Sequence, residues 1–461
     1  MPWLRRLIGD RALGFSLVGR VWQTISGPIT IALIIATLSP AQQGVYYALI
    51  SIVGLQAFVE LGLLNVLISY AGQESSRILH LIGRSEAEST PADRERSAQA
   101  AARMACMIAG ANRWFRWMSL VFAAAAILFG FRTLSAAAVP VAWLGPLLAL
   151  VGTAAATVAI SPQLAVLEGA GQREDIYRFR LLQIITGSLV VWFCLAIGWG
   201  IWSLVASAIT QFAFALYLTR VRHAELLSQL QLASPESNTV SWTNEIVPAQ
   251  WRMAAISLSQ HFATQFLVLA VLTYRSAEEA GRLGLTLSIT SAIQVIAQTW
   301  LQANLPLIST KHGTGQTAAA AALWRQLAIT STLVLTLGLF ILCGALQVLA
   351  YSHPTIAARF VAPYQVAILA VGCLANHQLS IQGMYFLAKW RRPLTRGAVG
   401  GFVTTAALVW TGGLLAGIDG VISGYTLGLA AVTLPLHTLD YLAHRRRTGS
   451  PDNSQLSSHA S

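Results

Sequence analysis

The sequence predicts an all-α polytopic membrane protein, with about twelve transmembrane helices in two six-helix lobes related by a pseudo-two-fold axis along the membrane normal. Three observations carry this reading. Of 461 residues, 55% are hydrophobic and only 10% charged, whereas a soluble domain carries about 25% charged residues; the mean hydropathy is +0.60. The runs 21–59 and 181–219 are each 39 residues without Asp, Glu, Lys or Arg, and a bilayer-spanning helix needs about 20. Third, the basic residues fall on alternate connections, as set out below. A soluble enzyme, a nucleic-acid binder and a transmembrane β-barrel are excluded, because barrel strands alternate over ~10 residues and these runs do not.

Apolar runs set against polar breaks place the spans at about 13–38, 44–70, 114–131, 140–167, 181–198, 201–219, 252–273, 281–308, 324–346, 362–388, 397–417 and 420–442. The third is the weakest, since Arg116 and Arg132 leave only 15 residues between them. Trp114, Trp143, Trp199, Trp202, Trp251, Trp324 and Trp390 sit at span ends, where an amphipathic ring meets both lipid and water.

An even number of spans puts both termini on one side. With the N-terminus in the cytoplasm, 25 of the 30 Lys and Arg residues lie on cytoplasmic segments, four (Arg132, Arg275, Arg282, Arg359) lie outside, and Arg20 lies within the first span. That asymmetry is the positive-inside signature and independently supports twelve spans. It also accounts for most of the net charge of +12, so no polyanion partner is needed to explain it.

The predicted organisation is a cytoplasmic N-terminal segment (1–12), an N-terminal six-helix lobe (13–219), a cytoplasmic linker (220–250) and a C-terminal six-helix lobe (251–442). A cytoplasmic tail follows (443–461), Ser-rich and expected to be disordered. Outward loops are short, the longest having about a dozen residues around 350–361, so no catalytic domain fits there. The inward segment 73–113 becomes Ala-rich and is expected to be helical toward Met107. Cys106, Cys194, Cys343 and Cys373 are scattered singly, without metal-type or redox-type spacing. The basic N-terminus runs into a long apolar helix with no small-residue cleavage site, which reads as an uncleaved first span.

A repeat relates the halves. Residues 39–52 (SPAQQGVYYALISI) match 276–289 (SAEEAGRLGLTLSI), with Ser, Gly, Ser and Ile at equal offsets entering the second and eighth spans. Six spans per half is an even number, so the halves would be parallel repeats.

These stretches also resemble a known family. Gly19-Arg-Val-Trp-Gln23, then Leu38-Ser-Pro-Ala-Gln-Gln-Gly-Val-Tyr-Tyr47 and Val59-Glu-Leu-Gly-Leu63, resemble the start of bacterial polysaccharide-biosynthesis membrane proteins. These are the oligosaccharide flippases of the multidrug/oligosaccharidyl-lipid/polysaccharide exporter superfamily. Leu167-Glu-Gly-Ala-Gly-Gln172, Gln250-Trp-Arg252 and Ala280-Gly-Arg-Leu-Gly284 are similar to the same family at its fourth, seventh and eighth spans. The resemblance implies a bacterial inner-membrane flippase that moves a lipid-linked oligosaccharide, often on undecaprenyl diphosphate, to the outer leaflet by alternating access. It implies two lobes around a central cavity, membrane lipids as surroundings and a polysaccharide polymerase or glycosyltransferase as partner. A monomer is expected, with no enzymatic activity, cofactor, metal or nucleic acid.

Polar residues inside spans are costly in hydrocarbon and mark candidate cavity positions. Arg20, about two turns into the first span, would bind the diphosphate with its guanidinium fork, with Gln23 on a nearby face; an arginine snorkelling to the cytoplasmic interface is the alternative. Glu60 follows Gln56 by one helical turn in the second span. It reads as a salt-bridge partner for Arg20, a proton-coupling carboxylate or a neutral buried acid. Gln294, Gln298 and Gln302 form a stripe at intervals of four on the eighth span, and the seventh carries Gln260, His261 and Gln265. Amides and imidazoles both donate and accept, which suits glycans; interhelical hydrogen bonding is the competing reading. Asn376 and His377 in the tenth span are weaker candidates of the same kind. Arg282 would meet the diphosphate on emergence or snorkel, and Glu168, Arg173, Glu174 and Asp175 read as helix-end caps and pairs. Pro28, Pro146, Pro162 and Pro306 fall inside spans, where proline bends helices.

The alternative function is a cation-coupled multidrug exporter of the same superfamily, which calls for an acidic, aromatic cavity. A membrane enzyme of polysaccharide assembly is a further alternative that the short outer loops disfavour.

Overall fold

The computed structural model describes residues 11–60, 63–82, 91–137, 139–232, 255–256, 259–313, 316–388 and 396–449. The predicted disordered tail (443–461) is helical as far as Gly449; the rest of it, most of the linker and Arg252 lie outside these residues. Everything described is helix or short connection, with no strand among the described residues. Among the described residues, eight helices are long and apolar enough to cross a membrane. One of the eight stretches runs over 397–442 and comprises two predicted spans, joined at Gly417, whose φ of 63° and ψ of −133° break the helix. The second predicted span is interrupted, and the tenth carries Asn376, His377, Gln378 and Gln382, which lower its apolarity.

The chain forms two compact units, one comprising Met1–Leu258 with Arg275–Leu285, the other Ser259–Tyr274 with Thr286–Ser461. In the first unit α1 (Arg11–Thr37) runs through Pro28 without ending. Next comes α2 (Pro40–Val53), a 3-10 turn (Gly54–Gln56) and α3 (Ala57–Glu60). A 3-10 stretch inside an apolar helix has poorer hydrogen-bond geometry and frees local carbonyls, so the second span is not one continuous rod. It resumes as α4 (Leu63–Ile82). Helix α5 (Pro91–Ala136) has 46 residues, about 69 Å at 1.5 Å per residue, more than twice the ~30 Å hydrocarbon core. Its Ala-rich first half therefore extends beyond the hydrocarbon core, and it is helical as the sequence predicts. Helices α6 (Leu144–Gly169), α7 (Arg173–Ala196) and α8 (Trp202–Tyr217) complete the unit. Helix α1 lies along α7, α7 against α8, and α6 against α4, α5 and α8. Pro146 stands in the first turn of α6, where proline costs nothing, so it does not interrupt the span; Pro162 lies inside.

After α8 a π-helical turn (Leu218–Arg222) leads into α9 (Ala224–Leu232). Leu226 and Leu227 pack on Leu167 and Ile176, while Asp175 pairs with Arg222 at 3.2 Å and His223 at 3.3 Å. The start of the linker is thus a docked amphipathic helix.

The repeated segments meet within this unit. Ser39 Oγ accepts the Gln42 N–H and Gln42 Oε1 accepts the Ser39 N–H, a capping box. At the same offset, Ser276 Oγ accepts the Glu279 N–H and opens α11 (Ala277–Gly313), after α10 (Leu267–Tyr274). The two helix starts approach so closely that a Cβ on Gly44 would lie 1.7 Å from the Ala277 carbonyl oxygen, and one on Gly281 would lie 2.8 Å from the Gly44 nitrogen. Gln43 Nε2 donates to the Gly281 carbonyl at 2.9 Å. Small residues let backbones approach where lipid gives helices no hydrophobic reason to associate.

The second unit contains α10, most of α11, α12 (Thr317–Ser352), the one-turn α13 (Pro354–Ala357) and α14 (Pro363–Ala388). It ends with α15 (Arg396–Leu427), a π-helical turn (Gly428–Thr433) and α16 (Leu434–Gly449). Leu301, Ile308, Ala320, Trp324, Ile381 and Tyr385 form a core cluster. The short helix α13 occupies the connection around 350–361.

A candidate polar cavity in the first unit

Helices α1, α7 and α8 line an open cavity of about 380 Å³. Its wall carries amides and hydroxyls from all three: Gln23 and Thr30 from α1, Gln183 and Ser188 from α7, Ser207 and Gln211 from α8. The spacing explains why they converge, since Gln183 with Gly187 and Ser207 with Gln211 each lie one turn apart on one helix face. Gly187 permits the approach, as a Cβ there would sit 3.2 Å from Ser207 Oγ.

Several of these polar groups are held in place by bonds to other residues. Gln183 Nε2 donates to the Gln211 carbonyl at 2.9 Å and Gln211 Nε2 to Ser207 Oγ at 3.3 Å. Beside the cavity two indoles stand 5.9 Å apart. Trp22 Nε1 donates to Ser188 Oγ at 3.3 Å and Trp192 Nε1 to Thr30 Oγ1 at 2.8 Å, fixing both rings between α1 and α7. Arg180 completes the lining. No carboxylate is among the described residues that line the cavity.

The predicted site residues are distributed over both units. Gln23 lines the cavity. Arg20, half-buried one turn before it, is not among the described lining residues. Gln56 sits half-buried in the 3-10 turn and Glu60, half-buried, ends α3. The expected ion pair between Arg20 and Glu60 is not formed: among the described residues neither takes part in a salt bridge. The physical reason is that α1 packs along α7 while α3 packs against α5, so matching depth in the sequence did not mean matching direction. In the second unit Gln294, Gln298 and Gln302 are half-buried along α11, with Gln302 Nε2 donating to Gln298 Oε1 at 3.3 Å. Gln260 is half-buried and its carbonyl accepts the Thr264 hydroxyl. His261 lies edge-on to Phe266 at 6.0 Å, and Gln265 is exposed where the helix breaks before α10. Asn376 is half-buried in α14, and His377 faces a neighbouring helix of its own unit. His377 is 0% exposed and its Nε2 lies 3.1 Å from Ser331 Oγ.

Sequence reasoning missed Thr30, Gln183, Ser188, Ser207 and Gln211. The available signal was polar residues at one-turn intervals in the fifth and sixth spans, the same kind of stripe that singled out the eighth. Glu168 was read as a helix-end pair, and it is one: its Oε2 accepts from Arg180 Nη2 at 2.8 Å and its Oε1 from the Tyr177 hydroxyl at 3.1 Å.

These features define a multi-pass α-helical membrane protein built of two helical units with the fold of MATE transporters of the MOP superfamily. The likeness is to an inward-facing multidrug resistance MATE family transporter (TM-score 0.54, 14% identity, covering 91% of this chain and 97% of the other). It extends to a MATE in complex with MaD3S (0.54, 13%, 95% and 95%) and to an outward-facing MATE family transporter (0.53, 13%, 95% and 95%). No family model matches the chain. No curated protein sequence matches it.

Proposed function

We propose that this chain is an exporter of the cytoplasmic membrane that moves an amphipathic, hydroxyl-rich solute outward, with a lipid-linked oligosaccharide as the substrate class. The observation that carries this reading is the composition of the cavity wall: amides and hydroxyls, without a carboxylate among its described lining residues, with two indoles bonded to the lining residues Ser188 and Thr30. Amide and hydroxyl groups each donate and accept, so they match sugar hydroxyls in either sense. The apolar face of a sugar ring suits an indole whose N–H is already engaged. The prenyl tail needs no pocket, because it stays in lipid.

A second reading, a cation-coupled multidrug exporter, has the better support from likeness of fold, since solved neighbours are described as multidrug resistance transporters. It calls for an intramembrane acid to exchange for cation, and Glu60 is the residue available for that role. The two readings separate in one experiment. The full chain is reconstituted in liposomes and offered a fluorescent polyprenyl-diphosphate disaccharide on one side, or loaded with a lipophilic cation such as ethidium. Accelerated flipping of the disaccharide lipid without cation efflux is expected. Cation efflux that Glu60→Gln abolishes, with no flipping, would sink the oligosaccharide reading.

A further inference from the structure

We propose that Arg180 is the residue by which the cavity reads an oxyanion on its substrate, and that Glu168 and Tyr177 are positioning residues that aim it. This rests on the reading of the cavity as a site for a hydroxyl-rich solute, and adds the charge the site selects and the group that selects it.

The argument turns on an asymmetry inside one ion pair. The Glu168 side chain is 8% exposed and the Arg180 side chain 48%. A buried carboxylate must be matched, and Glu168 is: the Tyr177 hydroxyl occupies one oxygen and Arg180 Nη2 the other. Arg180 is under no such constraint. A guanidinium has five N–H donors in a planar fork, and the contact to Glu168 takes one of them through Nη2. The others stay available on a side chain that lines the cavity. The acid is therefore structural and the base is open to a ligand.

The base is also held in orientation. Its Cζ stands 5.3 Å from the centre of the Tyr177 ring, a cation–π contact three residues back along α7. Glu168 reaches it from the last turn of α6. Arg180 and Gln183 are three residues apart on α7, so the fork lies above the amide on the same helix face. A phosphate or carboxylate drawn to Arg180 would place an attached sugar against Gln183, Gln211 and Ser207. A bidentate guanidinium–oxyanion contact suits this geometry, whereas a lysine would supply only a point charge.

The oxyanion has two possible sources, the diphosphate that links glycan to lipid and the carboxylate of an acidic sugar. The test measures binding to the full chain in lipid nanodiscs with three probes: a polyprenyl-diphosphate disaccharide of neutral sugars, an alkyl glucuronide and an alkyl glucoside. Arg180→Gln should weaken at least one anionic probe by about tenfold to a hundredfold, the range for charge-assisted hydrogen bonds, while glucoside binding changes less than twofold. Whichever anionic probe loses affinity identifies the source. Arg180→Lys should recover only part of the loss. Glu168→Gln keeps the side-chain shape and removes the competing charge, so it should tighten the affected anionic probe about threefold and leave the glucoside unchanged. Equal loss of all three probes in Arg180→Gln, or no loss of either anion, would overturn the role of Arg180 while leaving the glycan reading intact. A wild-type protein that binds none of the three would remove that reading, and the role of Arg180 with it.

Discussion

Polar side chains inside the helices of the two units are used in opposite ways. In the first unit Gln23, Thr30, Gln183, Ser188, Ser207 and Gln211 turn toward a shared space of about 380 Å³. In the second, comparable residues turn toward each other. Ser331 Oγ donates to the Ala297 carbonyl and meets His377 Nε2, Gln378 Nε2 donates to Thr332 Oγ1, and Gln382 bridges His437 and Thr438. Thr405 and Thr433 pair at 2.8 Å. Since the Ser331 proton goes to Ala297, the His377 nitrogen facing Ser331 must carry its own hydrogen, which fixes the tautomer. The same chemical vocabulary thus serves as a cavity wall in one unit and as interhelical glue in the other. Residue type and depth do not distinguish the two uses; what each helix faces does.

The comparison can be broken by substitution. Before either use of polar groups matters, the repeated helix starts must pack, and the largest effect is expected from Gly44→Leu. Its side chain has no room beside Ala277, so a loss of about 3 kcal/mol is expected, read as collapse of the folded yield in detergent. Next, Gln183→Leu with Gln211→Leu should slow transport about tenfold, through the loss of two ligand hydrogen bonds. Stability in the same variant should fall by only about 0.6 kcal/mol, for the bond from Gln183 Nε2 to the Gln211 carbonyl, measured by thermal unfolding; a loss of several kcal/mol would mean that the wall is glue after all. Ser331→Ala should do the reverse. It leaves the Ala297 carbonyl and the His377 N–H without their partner and should cost about 1 kcal/mol, with transport unchanged within twofold. The smallest effect is expected from Trp192→Phe, which deletes the bond to Thr30 but keeps the ring, for about 0.6 kcal/mol. If Trp192→Phe slows transport more than Gln211→Leu, the indoles matter more than the amides.

Much of the fold was legible in the chain because hydrophobic runs and basic loops are local quantities. The long α5, the break between the last two helices at Gly417 and the short helix α13 all fall where apolar runs and polar breaks place them. The paired caps at Ser39 and Ser276 were visible as a sequence match, although the contact between Gly44 and Gly281 was not. The candidate site was less legible. Gln23 was found and its partners on α7 and α8 were not, because the fifth span holds its polar residues within a 39-residue stretch that reads as uniformly apolar. Arg20 drew notice as a charge inside a span, while Arg180, at a span end beside two other arginines, looked like part of the positive-inside rim.

The sequence by itself determined that this chain lives in a bilayer and about how often it crosses, because transfer of each segment into hydrocarbon depends mainly on that segment's own composition. Only the tertiary structure decided which polar side chains surround a cavity and which bond to one another. That depends on the rotation of each helix about its axis and on its neighbours. An amphipathic period fixes that rotation for a helix between water and a core, but leaves it nearly open for a helix surrounded by lipid and other helices.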